Sequence, residues 1–137
     1  MTSRWVFTYG SLMYAAVWEQ VVCGRYRSEP ALLDGYRRLN VLGDTYPALT
    51  PGPGSSVAGT LYLDVVANDL QRLDAFEGVE YRRAEVTVQR RDGTRAGADV
   101  YLWIAAQGLG DREWDPQWFE REELVQFIAR YAGGVRR

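Results

Sequence analysis

The chain has 137 residues, of which 47% are hydrophobic and 25% charged, and a formal net charge of −2. This composition is typical of a globular domain, so we expect residues 1–137 to form a single domain, and the balanced, dispersed charge argues against nucleic-acid binding. There is no histidine, and all 16 basic side chains are arginine. A histidine proton shuttle and a lysine Schiff base are therefore excluded, and a catalytic proton carrier would most simply be a carboxylate.

Cys23 is the single cysteine, so no intramolecular disulfide can form. The first residues do not show a basic segment followed by an apolar run, as a signal peptide would. No apolar stretch approaches the roughly 18 residues that a membrane span needs. We therefore expect a cytoplasmic protein with no membrane partner. The sequence does not indicate an oligomeric state.

Hydrophobic periodicity and chain-breaking residues predict alternating short elements. In chain order these are a strand at 4–9, a helix at 14–22, one or two strands at 31–42, a Pro- and Gly-rich loop at 46–56, a strand at 57–65, a helix ending at Glu77, strands at 81–90 and 96–104, a loop at 107–116 and a helix at 116–132. Asp92-Gly93 is typical of a hairpin turn between antiparallel strands. The predicted fold class is α+β: a small mixed, mostly antiparallel β-barrel with flanking helices, whose closure removes exposed strand edges.

Glu77 is the first candidate functional residue. It ends a predicted helix that Asn68 or Asp69 would cap and that Gly78 would terminate. The partial negative charge at a helix C-terminus and desolvation by Phe76 would both disfavour the ionised carboxylate. A proton carrier that works near neutral pH requires such a raised pKa. The ordinary alternative is a solvated glutamate at a helix end.

The segment Tyr9-Gly10-Ser11-Leu12, here called the 9–12 loop, is the second candidate. It follows a strand, and such a turn can aim consecutive backbone N–H groups at one anion. Gly10 would let a ligand approach the main chain closely. The alternative is an ordinary strand-to-helix turn with Ser11 as its cap. Ser11 and Cys23 are poor candidates for a nucleophile, because the histidine or lysine that normally activates one is absent.

Two adjacent arginines form the third candidate. Strict alternation along the strand 81–90 places Arg82 on the same face as Val86, whereas a bulge near Tyr81 would place Arg83 there instead. An inward arginine needs a carboxylate partner, either Glu77 or a substrate. No spacing of residues predicts a metal site or a dinucleotide site, so we expect no cofactor.

Four segments of the chain form a joint pattern: Val6-Phe7-Thr8-Tyr9-Gly10-Ser11-Leu12, Tyr46-Pro47-Ala48-Leu49, Leu73-Asp74-Ala75-Phe76-Glu77-Gly78 and Tyr81-Arg82-Arg83. In this order they resemble the γ-glutamylcyclotransferase-like (AIG2-like) family, and the resemblance extends to the strand with Val100-Tyr101, over about residues 4–104. It implies a small mixed β-barrel with its cavity at the 9–12 loop.

The resemblance also implies roles for individual residues. Glu77 would be the catalytic acid and base. Because the family often has Tyr, any residue and Arg after its Glu-Gly, the resemblance favours Arg83 over Arg82. The implied substrate-binding residues are Tyr9, Gly10, Ser11, Leu12, Arg83 and Tyr101.

The implied activity is that of a γ-glutamyl cyclotransferase acting on a small γ-glutamyl molecule. The α-amine of a γ-glutamyl amide attacks its own γ-carbonyl and releases 5-oxoproline and a free amine. Holding the side chain folded can recover much of the ~7–11 kcal/mol available from proximity, and no histidine, lysine, metal or cofactor is needed. The alternatives are a non-catalytic small-molecule binding module on the same barrel and an amide hydrolase in which Glu77 activates water. The identity of the amine is not readable from the sequence.

Overall fold

A computed structural model describes residues 2–105 and 108–131 of the chain. Within these residues the elements are β1 (Ser3–Thr8), a 3-10 turn (Ser11–Met13), α1 (Ala15–Val21), β2 (Ser28–Val41), β3 (Pro47–Val66), α2 (Ala67–Glu77), β4 (Tyr81–Arg90), β5 (Arg95–Trp103), β6 (Leu109–Glu113) and a C-terminal helix, α3. Helix α3 consists of an α-helical turn, a π-helical segment and a final α-helical part: Pro116–Trp118, Phe119–Glu123 and Leu124–Tyr131.

Five strands close into a barrel. Their order is β3-β1-β5-β4-β2, and β2 pairs in turn with β3, while β6 extends the sheet beyond β2. The contact between β1 and β5 is parallel, and the other pairings are antiparallel. The predicted small mixed, mostly antiparallel barrel with flanking helices is therefore confirmed. Closure pairs strand edges that would otherwise be open to other chains.

The predicted loop at 46–56 is wrong, because the first half of β3 runs through it. Asp34 of β2 pairs with Ser56 and Tyr36 pairs with Pro51, so the residues between them on β3 bulge out opposite Gly35. Proline and glycine are tolerated at such bulges, where the ladder of hydrogen bonds is interrupted. The predicted loop at 107–116 is wrong for a similar reason, because residues 109–113 pair with β2 as strand β6.

Apolar side chains form two layers. One layer fills the barrel and includes Phe7, Leu33, Leu61, Val88 and Val100. The other lies between the barrel's outer surface and the helices and includes Trp18, Leu73, Phe76, Phe119 and Phe127. Because side chains alternate along a strand, Val100 belongs to the inner layer and Tyr101 to the outer one, next to α2.

Helix α2 begins differently from the prediction and ends as predicted. Neither Asn68 nor Asp69 caps it: Val66 is the N-cap, without a side-chain hydrogen bond. Asp69 lies buried in the first turn and accepts hydrogen bonds from the backbone N–H groups of Cys23 and Gly24. At the other end, Gly78 stops the helix with a φ of 82° and donates its N–H to the carbonyl of Asp74. The positive φ explains why glycine occupies this position.

Among the described residues, no helix combines the length and the apolar character needed to cross a membrane.

Candidate functional site

A narrow cavity lies where the end of β1, the 9–12 loop, the start of β3 and the end of α2 meet. Its volume is about 20 Å³, which is room for about one water molecule. The residues that line it are Phe7, Thr8, Tyr9, Gly10, Ser11, Leu12, Tyr46, Pro47, Glu77, Tyr81 and Tyr101. The family resemblance implies seven catalytic or substrate-binding residues. Six of them line this cavity, and Arg83 does not.

Glu77 reaches the cavity because it is the last residue of α2. The helix follows β3 directly, and β3 pairs with β1, so the end of α2 returns to the end of β1. The side chain of Glu77 is half-buried. Leu73 and Phe76 pack into the outer apolar layer and fix the orientation of the helix. The carboxyl group consequently shares a wall of the cavity with the 9–12 loop.

The 9–12 loop is held at both ends through its carbonyl groups. The guanidinium of Arg38 donates to the carbonyl of Tyr9 over 2.9 Å, and the hydroxyl of Tyr62 donates to the carbonyl of Leu12 over 3.1 Å. The first hydrogen bond of the following 3-10 turn is donated by Met13 to the carbonyl of Gly10. The N–H groups of residues 11 and 12 precede that bond, and the first N–H groups of a helical turn have no partner inside it.

Gly10 lies against Pro47, the first residue of β3. A Cβ atom at position 10 would lie 2.9 Å from both the Cγ and the Cδ of the proline ring. The close approach of the proline ring leaves no room for a side chain at this position. The loop and the start of β3 are therefore in direct contact.

Tyr101 connects the cavity to a partly buried polar cluster. Its hydroxyl donates to Oδ1 of Asp74 over 2.7 Å, and its backbone carbonyl accepts the hydroxyl of Tyr9 over 2.6 Å. Burial raises the pKa of the Tyr101 phenol well above its ordinary value, and the hydrogen bond to Asp74 and the negative charges of Asp74 and Glu77 raise it further. The phenol therefore stays protonated.

The two arginines lie outside the cavity. Arg82 is exposed, and Arg83 contacts Asp74 through Nε at 2.8 Å and Asp99 through a terminal nitrogen at 2.6 Å. The pairing of β4 with β5 runs without a shift from Tyr81 onward, so the bulge considered from the sequence is absent there. Alternation thus holds, and it directs Arg83 toward α2. Arg83 thus binds two carboxylates of the protein, and its role in binding substrate stays a prediction.

Five residues of the cavity wall were not predicted from the sequence: Phe7, Thr8, Tyr46, Pro47 and Tyr81. The hydroxyl of Tyr81 donates to the carbonyl of Pro47 over 2.7 Å, which joins β4 to the start of β3. These residues all occur in the segments that carry the family resemblance, and that was the available signal. Asp74 was also missed, although it lies three residues before Glu77 on the same helix.

Cys23 is exposed and lies outside the cavity wall, and the described residues contain no cluster of three or more potential metal ligands.

Comparisons with known proteins identify the family and the fold. A family model described as "Gamma-glutamyl cyclotransferase, AIG2-like" matches residues 6–122. AIG2-like protein A from Arabidopsis thaliana is 30% identical over 128 residues, which cover 92% of this chain and 78% of that protein. AIG2-like protein C from the same plant is 32% identical over 129 residues, covering 90% and 73% of the two chains.

Two solved structures share the fold. The solution structure of an Arabidopsis thaliana protein superposes with a TM-score of 0.73 at 28% identity, covering 96% of this chain and 89% of that one. A structure named gamma-glutamyl cyclotransferase has a TM-score of 0.70 at 21% identity, covering 96% and 81%, and at that identity it supports the fold alone. The family match covers most of the chain, including the strand, loop and helix end that form the cavity. This chain belongs to the AIG2-like γ-glutamyl cyclotransferase family.

Proposed function

We propose that this protein is a γ-glutamyl cyclotransferase and that Glu77 is its catalytic acid and base. The observation that carries the proposal is the shared cavity of Glu77 and the 9–12 loop. Glu77 contributes a carboxylate, and the 9–12 loop contributes backbone N–H groups at the start of a helical turn. A γ-glutamyl amide needs both, because its α-amine must lose a proton and its carboxylate and developing oxyanion need hydrogen-bond donors.

The reaction follows from this arrangement. Glu77 takes a proton from the α-ammonium group, and the freed amine attacks the γ-carbonyl carbon, forming the new carbon–nitrogen bond of a five-membered ring. The bond between the γ-carbonyl carbon and the amide nitrogen then breaks, and Glu77 returns its proton to the leaving nitrogen. The ring nitrogen gives up its second proton, which leaves with the amine as an ammonium group. The products are 5-oxoproline and a free amine, and no water is consumed. Because nucleophile and electrophile belong to one molecule, folding the substrate supplies much of the rate.

The size of the cavity sets a condition on binding. A volume of about 20 Å³ admits about one water molecule, whereas a glutamyl group is several times larger. Side chains at the mouth must therefore move when the substrate enters. Tyr46 and Tyr81 line the cavity beside Pro47, and we expect their side chains to move.

The test is to incubate the protein with a panel of γ-glutamyl amines and measure 5-oxoproline. Replacing the acid–base group should cost ~10²–10⁴-fold in rate while the protein stays folded, so we predict this loss for Glu77→Gln. Glu80→Gln is the matched control, because Glu80 lies three residues away and outside the cavity wall. Full activity in Glu77→Gln would contradict the assignment. Turnover in water labelled with heavy oxygen separates cyclisation from hydrolysis, because only hydrolysis places solvent oxygen in the product.

A further inference from the structure

The hydrogen bond between Tyr101 and Asp74 has a defined direction. Arg83 donates to Oδ1 and Oδ2 of Asp74 over 2.8 and 3.3 Å, and a guanidinium can only donate. The carboxylate of Asp74 is therefore an acceptor in this cluster. Tyr101, which lies 2.7 Å from the same Oδ1, must be the donor.

A phenol has one proton, and that of Tyr101 is directed to Asp74. The oxygen of Tyr101 can therefore only accept hydrogen bonds from other groups. Tyr101 lines the cavity, and the charge of Glu77 acts on its hydroxyl. The cavity lining thus combines two acceptors, the carboxylate of Glu77 and the phenol oxygen of Tyr101, with the N–H groups of the 9–12 loop.

We propose that Asp74 is a positioning residue that holds the proton of Tyr101 and so makes the phenol oxygen an acceptor for the α-ammonium group of a γ-glutamyl substrate. This inference rests on the proposed function and adds the residue that orients the substrate. The ammonium lies toward Glu77 and Tyr101, and the α-carboxylate lies toward the 9–12 loop. In the reverse orientation, the α-carboxylate would face the acceptors of Glu77 and Tyr101, and the ammonium group would face the N–H donors of the 9–12 loop.

Asp74 is itself held by an extended ion-pair cluster. Arg83 bridges Asp74 to Asp99, and Arg4 donates to Asp99 over 2.7 and 3.1 Å. The side chain of Asp99 is only 5% exposed. Because Arg83 is fixed from this second side, Asp74 has little freedom to turn away from Tyr101. The acceptor character of the phenol is therefore built into the fold before any ligand arrives.

The experiment compares two ligands that differ only in the α-amine: a γ-glutamyl amide and the glutaric acid monoamide of the same amine. Binding is measured by calorimetry in the Glu77→Gln background, which prevents turnover. A charge-assisted hydrogen bond predicts a preference of about tenfold or more for the ligand with the amine. Asp74→Ala frees the proton of Tyr101 and should abolish the preference, while Asp74→Asn keeps an acceptor oxygen and should retain it.

Two controls separate positioning from loss of structure. Asp99→Asn removes the charge opposite Arg83 but keeps a side-chain oxygen that can accept from its guanidinium, so it should lower stability and leave the preference unchanged. Tyr101→Phe should remove the preference, and adding Asp74→Ala to it should have no further effect on the ratio of the two affinities. A general loss of structure would weaken both ligands alike.

The outcomes are distinguishable. The inference is overturned if Asp74→Ala keeps the preference for the amine, or if Asp74→Asn loses as much as Asp74→Ala. In either case the proposed function stands as long as the protein with intact Glu77 releases 5-oxoproline. If the protein binds neither ligand and releases no 5-oxoproline, the proposed function fails, and this inference fails with it.

Discussion

Gly10 illustrates how one small residue couples the two sides of the cavity. Pro47 occupies the space where a side chain at this position would begin. The proline ring is rigid and lies at the first position of β3, so it cannot yield as the end of a flexible side chain would. Any side chain at position 10 must therefore displace the 9–12 loop, and with it the N–H groups that the proposed mechanism uses.

We predict that Gly10→Ala lowers kcat/KM for 5-oxoproline release about tenfold to a hundredfold, because a displacement of about 1 Å in a catalytic loop has effects of this size. The overpacked contact should also cost about 1–3 kcal/mol in the free energy of unfolding, measured with urea. Gly108→Ala is the control, because its Cβ would lie 3.4 Å from the flexible end of Leu42. Unchanged kinetics in Gly10→Ala would show that the loop takes no part in the reaction.

The ion-pair cluster joins elements that are far apart in the chain. Arg4 belongs to β1, Asp99 to β5, Arg83 to β4 and Asp74 to α2. Burial opposes ionisation of Asp99, but the hydrogen bonds from Arg4 and Arg83 outweigh it and hold the pKa of this carboxyl below its usual value. The cluster therefore fastens the helix that carries Glu77 to the strand that carries Tyr101.

A lowered pKa in the folded protein fixes the sign of the pH dependence. The stabilisation by Asp99 is complete above the pKa of the unfolded chain, about 3.9, and is lost as the pH falls through the lower pKa of the folded protein. We predict that Asp99→Asn costs about 1–3 kcal/mol at pH 7, a value reduced by the partial exposure of Arg4. The difference from wild type should shrink below about pH 4, as measured by urea unfolding across this range.

The control for this prediction is Asp34→Asn, which removes a carboxylate from an exposed pair with Arg95 at 3.6 Å. Exposed pairs contribute little, so this variant should stay within about 0.5 kcal/mol of wild type. A deficit in Asp99→Asn that persists undiminished at pH 2–3 would show that the carboxylate charge is not the source of the stabilisation.

The molecule as a whole depends on two apolar layers that share the barrel wall. Helix α3 completes the outer layer: Phe119 and Phe127 are buried, and the ring of Phe127 meets Phe76 edge to face with centroids 6.4 Å apart. Phe76 immediately precedes Glu77. The C-terminal helix therefore supports the end of α2 from behind, although none of the described side chains of this helix lines the cavity.

We predict that Phe127→Ala lowers the free energy of unfolding by about 3–5 kcal/mol, because it leaves a cavity in the outer layer. Val125→Ala, on the same helix but 80% exposed, should change stability by less than about 0.5 kcal/mol. Both values come from urea denaturation. A Phe127→Ala protein as stable as Val125→Ala would mean that α3 does not share a core with the barrel.

Much of the fold and part of the cavity could be predicted from local sequence. The boundaries of β4, the hairpin at Asp92-Gly93 and the end of α2 at Gly78 follow from alternation, turn preference and glycine. The proline and glycine residues of β3 misled the prediction, because breakers usually end a strand and their tolerance at a bulge depends on a partner strand. Asp69 misled it in the same way, since its partners Cys23 and Gly24 are more than forty residues away.

The sequence by itself determined the available chemistry: without histidine or lysine, a carboxylate such as Glu77 is the simplest proton carrier, and glycine must follow it to end the helix. Only the tertiary structure decided where that carboxylate meets the 9–12 loop, that Arg83 binds Asp74 and Asp99 instead of lining the cavity, and which way the Tyr101 proton points. The physical reason is that residue type and periodicity act between near neighbours. Barrel closure and hydrogen-bond direction, by contrast, depend on groups that meet only when distant segments pack together.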